Sequence, residues 1–346
     1  METKVLKPTE EDIKLAAEIL NEGGLVAFPT ETVYGLGADA MNAEAVAKVY
    51  AAKGRPSDNP MIVHISRASD IGQLTPMLSA TIVKLIENFW PGPLTLVLKK
   101  KDGVPDVTTG GLDTVAVRMP DNEIALKLIS EAGCPVAAPS ANISGRPSPT
   151  KAQHVIDDLS GKIDAVIEGP DCRVGIESTV LDVTGDVPTI LRPGIVTAED
   201  VEAVLESKVL YDKHLFVDKA GINFDENGNP LEAEDPNFKP KSPGMKYKHY
   251  APKAQMTIFE GQRDKVKAEI ARVKHLNEMI GVKVGVILFE EKAFREAAHD
   301  LFADLREMDA QNVDLILAGA LSDTDGVGFA VMNRMLKSAG YNIVKV

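Results

Sequence analysis

The chain has 346 residues, 44% of them hydrophobic and 26% charged, and 51 acidic against 38 basic side chains give it a net charge of −13. This composition excludes a disordered or fibrous chain and argues against a protein that coats nucleic acid or anionic membrane through bulk charge. Cys134 and Cys172 make no disulfide framework or metal-type cluster, no apolar run reaches the ~18 residues of a membrane span, and the start lacks a signal-peptide core, so a cytoplasmic chain is expected.

Thr9 is placed to cap a helix whose apolar residues recur at Ile13, Ala16, Ala17 and Leu20, and Gly23-Gly24 stops it. Leu25–Phe28 then reads as a buried strand. Capped helical patterns follow near Asn42, Ser79, Asp121, Thr150 and Thr197. Between them lie strand-like runs at Met61–Ile65, Leu94–Leu98, Thr114–Arg118, Ile163–Ile167, Thr179–Val183 and Thr189–Leu191. The alternation predicts an α/β domain over residues 1–207, a mixed sheet covered by helices. Residues 208–254 read as a linker of two unlike parts: Tyr211–Asp235 carries seven acids, whereas Pro236–Phe259 carries none and presents five lysines. Beyond it, residues 255–346 predict a smaller open α/β domain with strands at Met256–Phe259, Val282–Phe289 and Tyr341–Val344 and helices between them.

Several loops carry donors where an α/β fold places ligands. Pro29–Gly37 follows a strand and supplies hydroxyls and two glycines. Its Gly35-Leu-Gly-Ala-Asp-Ala40 matches G-x-G-x-x-A but stands six residues from the strand, too far for a dinucleotide turn. Lys53-Gly-Arg-Pro-Ser-Asp-Asn59 sets two cations behind a probable helix end at Gly54, which fits a polyphosphate but also serves the helix dipole. Pro139–Pro149 is dense in hydroxyl, amide and proline, as a rigid donor-presenting loop or a solvated turn would be. His64 sits in an apolar strand, where a core role competes with a functional one. Arg118 ends its strand, and its fork suits either a substrate carboxylate or a structural one. Trp90 reads as packing. Ser242–Lys253 is basic, aromatic-bearing and stiffened by two prolines, which fits a lid over an anionic ligand. No G-x-x-x-x-G-K-[ST], G-x-S-x-G or H-E-x-x-H is present, which disfavours ordinary P-loop, elbow-hydrolase and zinc chemistries.

Taken jointly, Pro29–Gly37, Lys53–Asn59, Trp90–Pro93, Pro139–Pro149, Ser178-Thr179 and Arg192-Pro-Gly194 resemble the threonylcarbamoyl-AMP synthase family, whose catalytic unit is the YrdC-like domain. Its paired signatures stand here as Lys53-Gly-Arg55 and Ser140-Ala-Asn142. The resemblance covers residues 5 to 207, and the lid segment 242–253 with the Rossmann-like C-terminal domain is similar to the longer, two-domain members. It implies formation of threonylcarbamoyl-AMP and pyrophosphate from L-threonine, bicarbonate or CO2, and ATP, for the threonylcarbamoyladenosine modification of tRNA by a downstream transferase machinery. It also implies a threonine pocket of Thr32, His64, Arg118, the Ala138 backbone and Ser178. The implied nucleotide contacts are Lys53, Arg55, Asn59, Thr114, Ser140, Asn142, Ser148 and Arg192, under Tyr247 or Tyr250. Lys53 and Arg55 would supply the catalytic positive charge, and Mg2+ would be held mainly by ATP phosphates rather than by protein ligands. Two rivals are an RNA-binding or ribosome-maturation module on the same fold, which the acidic balance opposes, and a carbamoyl-phosphate-dependent transfer domain.

Overall fold

A computed structural model describes residues 2–216, 240–242, 249–321 and 326–346. The N-terminal half is built on short strands: β1 (Lys4–Leu6), β2 (Val26–Phe28), β3 (Gly35–Asp39), β4 (Ile62–His64), β5 (Leu94–Lys99), β6 (Thr114–Arg118), β7 (Val136–Ala137), β8 (Ala165–Ile167), β9 (Thr179–Asp182), β10 (Thr189–Arg192) and β11 (Leu210–Tyr211). They form one sheet in the order β1-β8-β2-β3-β7-β4-β6-β5-β9-β10-β11. Pairing is mixed: β4 and β6 run parallel, while β7 runs antiparallel to both β3 and β4. The mixed α/β architecture is the one expected. The sheet also extends past the catalytic boundary read from sequence, because Leu210–Tyr211 pairs with β10.

Three of these strands escape sequence patterning because they are brief or lack alternation: Lys4–Leu6, Leu210–Tyr211, and Gly35–Asp39, which reads as a ligand loop but pairs with both β2 and β7. In the N-terminal half, capping explains most helix starts. Thr9, Asn42, Ser79 and Thr197 accept backbone N–H groups at their helix starts. Asn122, not Asp121, caps the Glu123–Ala132 helix, and Lys151 precedes Ala152–Leu159 with no side-chain cap. Gly54 terminates the Ala43–Lys53 helix at φ +60°, a left-handed cap that costs a glycine little.

The C-terminal domain carries β12 (Gln255–Glu260), β13 (Val284–Ile287), β14 (Leu315–Gly319) and β15 (Ile343–Lys345) in a parallel sheet ordered β13-β14-β12-β15. The sequence places helical patterns between Val282–Phe289 and Tyr341–Val344 and does not single out β14. Leu315-Ile-Leu-Ala-Gly319 is a continuous apolar run buried on both faces, for which periodicity does not separate strand from helix.

The two domains meet through an apolar cluster in which Val33, Ile176, Ile195 and Tyr250 pack against Ala298, Leu301 and Phe302 of the Phe294–Ala310 helix. Gly175 sits under that helix at φ +85°, and a Cβ there would lie 2.4 Å from both the Cα and the carbonyl oxygen of His299. Gly175→Ala is therefore expected to lower unfolding stability by about 2 kcal/mol or more in urea titration. Gly72→Ala, which meets open space, should change it by less than about 0.5 kcal/mol.

Candidate active site

The site lies over one face of the large sheet. Residues two apart in a strand share a face, so Ile62 and His64 of β4 point the same way, beside Arg118 of β6 in register with His64. Together with Gly35 and Ala138 they line a cavity of about 60 Å³ that Thr30, Thr32, Val33, Arg55, Pro139, Ser140, Glu177, Ser178, Arg192, His249 and Tyr250 complete.

Arg118 is 4% exposed. Its Nε donates to the Gly92 carbonyl at 3.2 Å and its Nη1 to Thr32 Oγ1 at 2.9 Å. Its Nη2 stands 2.6 Å from Glu31 Oε1 in a fully buried ion pair whose angle falls short of hydrogen-bond geometry. Thr32 Oγ1 is also bonded to Thr30 Oγ1 at 2.9 Å. A guanidinium carries five donors, so two remain for a ligand. His64 Nδ1 contacts the Ile62 carbonyl at 3.2 Å, and burial first, Arg118 second, push its pKa down to about 3. The ring is neutral at physiological pH and adds no charge to the floor.

Across the cavity, Arg192 donates through Nε to the Ser178 carbonyl at 3.1 Å and through Nη2 to Ser178 Oγ at 3.2 Å; that hydroxyl also meets Thr95 Oγ1 at 2.8 Å. Arg55 donates to the carbonyls of Asn59 and Pro60 at 3.2 and 2.9 Å, while its Nε and Asn59 Oδ1 are buried without hydrogen-bond partners among the described residues. Burial lowers the Arg55 pKa to about 10, which leaves it charged. Lys53, 2% exposed, donates to the Asn142 carbonyl at 2.6 Å and to the Ser140 carbonyl, with Asn142 Oδ1 at 3.4 Å. Burial and then Arg55 pull its ammonium well below the ordinary range, while three oxygen acceptors hold the proton. Ser140 Oγ closes the knot on Asn142 Oδ1 at 2.6 Å.

Of the residues expected at the site, Thr32, Arg55, His64, Arg118, Ala138, Ser140, Ser178, Arg192 and Tyr250 line the cavity. Lys53 and Asn142 stand one hydrogen bond behind Ser140, Ser148 one behind Glu177, and Asn59 beneath Arg55. Thr114 shares the face of Arg118 but lies four residues back along β6, ~13 Å away. Tyr247 falls outside the described residues. Sequence reading did not single out Thr30, Glu31 or Glu177. The signal for Glu177 was present: a carboxylate between the fully buried Ile176 and Ser178 has to find counter-charge. Its acidity is increased despite burial, because Arg334, Arg192 and the Ser148 hydroxyl outweigh desolvation.

Three guanidinium groups and one carboxylate therefore line a partly open cavity in an acidic chain, which focuses positive potential on whatever enters. A family model described as "Telomere recombination", covering Sua5, YciO and YrdC, matches residues 18–194, and one described as "Threonylcarbamoyl-AMP synthase, C-terminal domain" matches residues 196–340. The threonylcarbamoyl-AMP synthase of Pyrococcus abyssi is 47% identical over 96% of this chain and 96% of its own. The chain belongs to the threonylcarbamoyl-AMP synthase family. It has the two-domain form of that family, which comprises adenylating enzymes of the nucleotidyltransferase type. The Bacillus subtilis synthase is 45% identical over 99% of this chain and 97% of its own. The crystal structure of P. abyssi Sua5 complexed with L-threonine superposes with a TM-score of 0.88, at 44% identity and full coverage of both chains.

The neutral state of His64 is open to measurement. Its folded pKa near 3 lies below the ordinary 6.5, so the unfolded chain binds the extra proton; His64 contributes stability above pH 6.5 that is lost as pH falls toward 3. The His64 imidazole signals in NMR should show no protonation between pH 8 and pH 5, and a midpoint near 6.5 would refute the assignment.

Proposed function

We propose that this cavity joins L-threonine, bicarbonate or CO2, and ATP into threonylcarbamoyl-AMP with release of pyrophosphate, for the threonylcarbamoyladenosine modification of tRNA by a downstream transferase machinery. One observation carries the reading: a niche floored by Arg118, Thr32, His64 and Ser178 shares its wall with Arg55, Ser140 and Arg192. The two remaining donors of Arg118 fit the threonine carboxylate, and Thr32 and Ser178 orient the side-chain hydroxyl. The neutral His64 and the Ala138 backbone bound the space without competing for that carboxylate.

Catalysis here needs alignment and charge neutralisation rather than a side-chain nucleophile. Threonine's amine nitrogen bonds to the carbon of CO2 and loses a proton. A carbamate oxygen then bonds to the α-phosphorus as the bond from that phosphorus to the bridging oxygen breaks, and the electron pair leaves with pyrophosphate. Arg55 and Arg192 face the phosphates, with Asn59, Thr114, Ser140, Asn142 and Ser148 on the nucleotide side. Lys53 supports them by holding the Ser140–Asn142 loop, and a polyphosphate nearby would raise its depressed pKa again. The cavity's hydroxyl and carboxylate oxygens suit a hard cation. Mg2+ brought in on ATP would be held mainly by phosphate oxygens and water and would supply further neutralisation of phosphate charge; no group of three or more His, Cys, Asp or Glu among the described residues could hold it. Tyr250, buried and with its pKa raised to about 12 by burial and the charge of Glu177, stays a neutral cover that keeps water from the carbamate.

We infer that the catalytic domain, read from sequence as 1–207, runs through the Leu210–Tyr211 strand, with the rest of 208–254 as linker and 255–346 as the C-terminal domain. No helix among the described residues is long and apolar enough to cross a membrane, and a cytoplasmic location follows from the tRNA-directed product. The RNA-module alternative is disfavoured, since the cationic groups line a concave pocket rather than a flat platform. Purified protein supplied with threonine, bicarbonate, Mg2+ and ATP should yield adenylated product and pyrophosphate, and well-folded protein that yields neither would reject the reading. Arg55→Ala should lower the rate by about 100-fold or more and, by removing the donor to the Asn59 and Pro60 carbonyls, lower the melting midpoint as well. Lys53→Ala should lower both, because it strips a buried donor from two loop carbonyls.

A further inference from the structure

We propose that Arg306 and Arg334 of the C-terminal domain are positioning residues for the nucleotide side of the cavity, fixing the Pro147–Ser148 end of the Ser140 loop from outside. This rests on the reading above that Ser148 faces ATP.

Arg334 lies in the Gly326–Ser338 helix and is 0% exposed. Its Nε stands 3.2 Å from Glu177 Oε2, and its Nη1 donates to the carbonyls of Pro193 and, at 3.3 Å, Ala330. The other oxygen of Glu177 accepts the Ser148 hydroxyl at 2.6 Å. One carboxylate thus transmits the position of a C-terminal helix to a residue of the loop. Arg306, in the Phe294–Ala310 helix, reaches the adjacent residue: Nη2 and Nε donate to the Pro147 carbonyl at 2.6 and 3.1 Å, and Nη2 pairs with Asp158 Oδ2 at 2.9 Å. Asp158 in turn holds Arg146 at 2.9 Å and accepts the Ile143 N–H at 3.2 Å. At the loop's other end, Asn142 Nδ2 donates to the carbonyls of Ile143 and Arg146.

Adhesion alone does not explain these contacts. The domains already share an apolar interface through Val33, Ile176, Ile195 and Phe302, whose burial is favourable without desolvating any charge. A fully buried ion pair adds little net stability, because the loss of hydration offsets the attraction. What the arginines add is geometry: fork-shaped donors fix the directions of a carbonyl and a carboxylate, where apolar packing would let both shift. Both arginines converge on two consecutive residues at the edge of the site.

The test uses the full chain and separates placement from folding. KM does not depend on how much of the protein is folded, so it reports on the site even in a destabilised variant. Arg334→Met and Arg306→Met should each raise KM for ATP by about tenfold or more, and KM for threonine by less than about threefold. The double variant Glu177→Gln/Arg334→Met removes both charges of the pair and should regain most of the lost melting midpoint, yet its KM for ATP should stay raised. The inference is overturned if both single variants keep wild-type KM for ATP and lose rate only in proportion to their folded fraction, or if the double variant recovers wild-type KM. Wild-type protein that makes no product in the same assay would instead reject the reaction proposed above, and the inference with it.

Discussion

The structure depends on how it accommodates cations that have been taken out of water. Lys53, Arg118, Arg192 and Arg334 are each at most 5% exposed, and an isolated charge at such depth would cost far more than the fold's net stability. Two carboxylates, Glu31 and Glu177, neutralise part of this charge, and main-chain carbonyls and hydroxyls solvate the rest. The balance is left deliberately incomplete around the cavity, where guanidinium groups outnumber carboxylates. On the function proposed, an anionic ligand completes the neutralisation, so the interactions that hold the loops in place would also prepare the site for triphosphate.

That arrangement was partly legible in the sequence. The loops bearing Lys53, Arg55, Ser140 and Asn142 stand out because cations, hydroxyls and amides cluster after predicted elements, and joint order and spacing identify the family. The depth of Lys53 was not legible. Its position after an apolar helical stretch fits an exposed helix end equally well, and only the return of Ser144 N to the Lys53 carbonyl shows that the loop folds over it. Glu31 lies between Thr30 and Thr32 in a segment whose hydroxyls draw attention, while the partnership with Arg118 joins residues 87 apart in sequence, beyond any local pattern. Arg334 is less visible still, because an arginine in a helix ordinarily faces water.

The fold shows similar limits. Where capping and alternation are strong, as at Asn42 or Thr114–Arg118, the elements fall where they were expected. Gly35–Asp39 contains two glycines and little β propensity, and becomes a strand because β2 and β7 supply partners on both edges. The Leu315–Gly319 strand is sheltered on both faces by helices and therefore shows no alternation of polar and apolar residues. In both cases tertiary context decides what local sequence leaves open.

The Glu177–Arg334 contact has a consequence for modularity. The catalytic half contains its own sheet and most of the groups around the cavity, so it looks detachable. Yet one carboxylate at that cavity borrows its counter-ion from the other half, and Gly175 is shaped to receive that half's backbone. A chain cut down to the catalytic half would need other residues at this corner, because truncation alone would leave Glu177 without Arg334 and Gly175 without the backbone it faces.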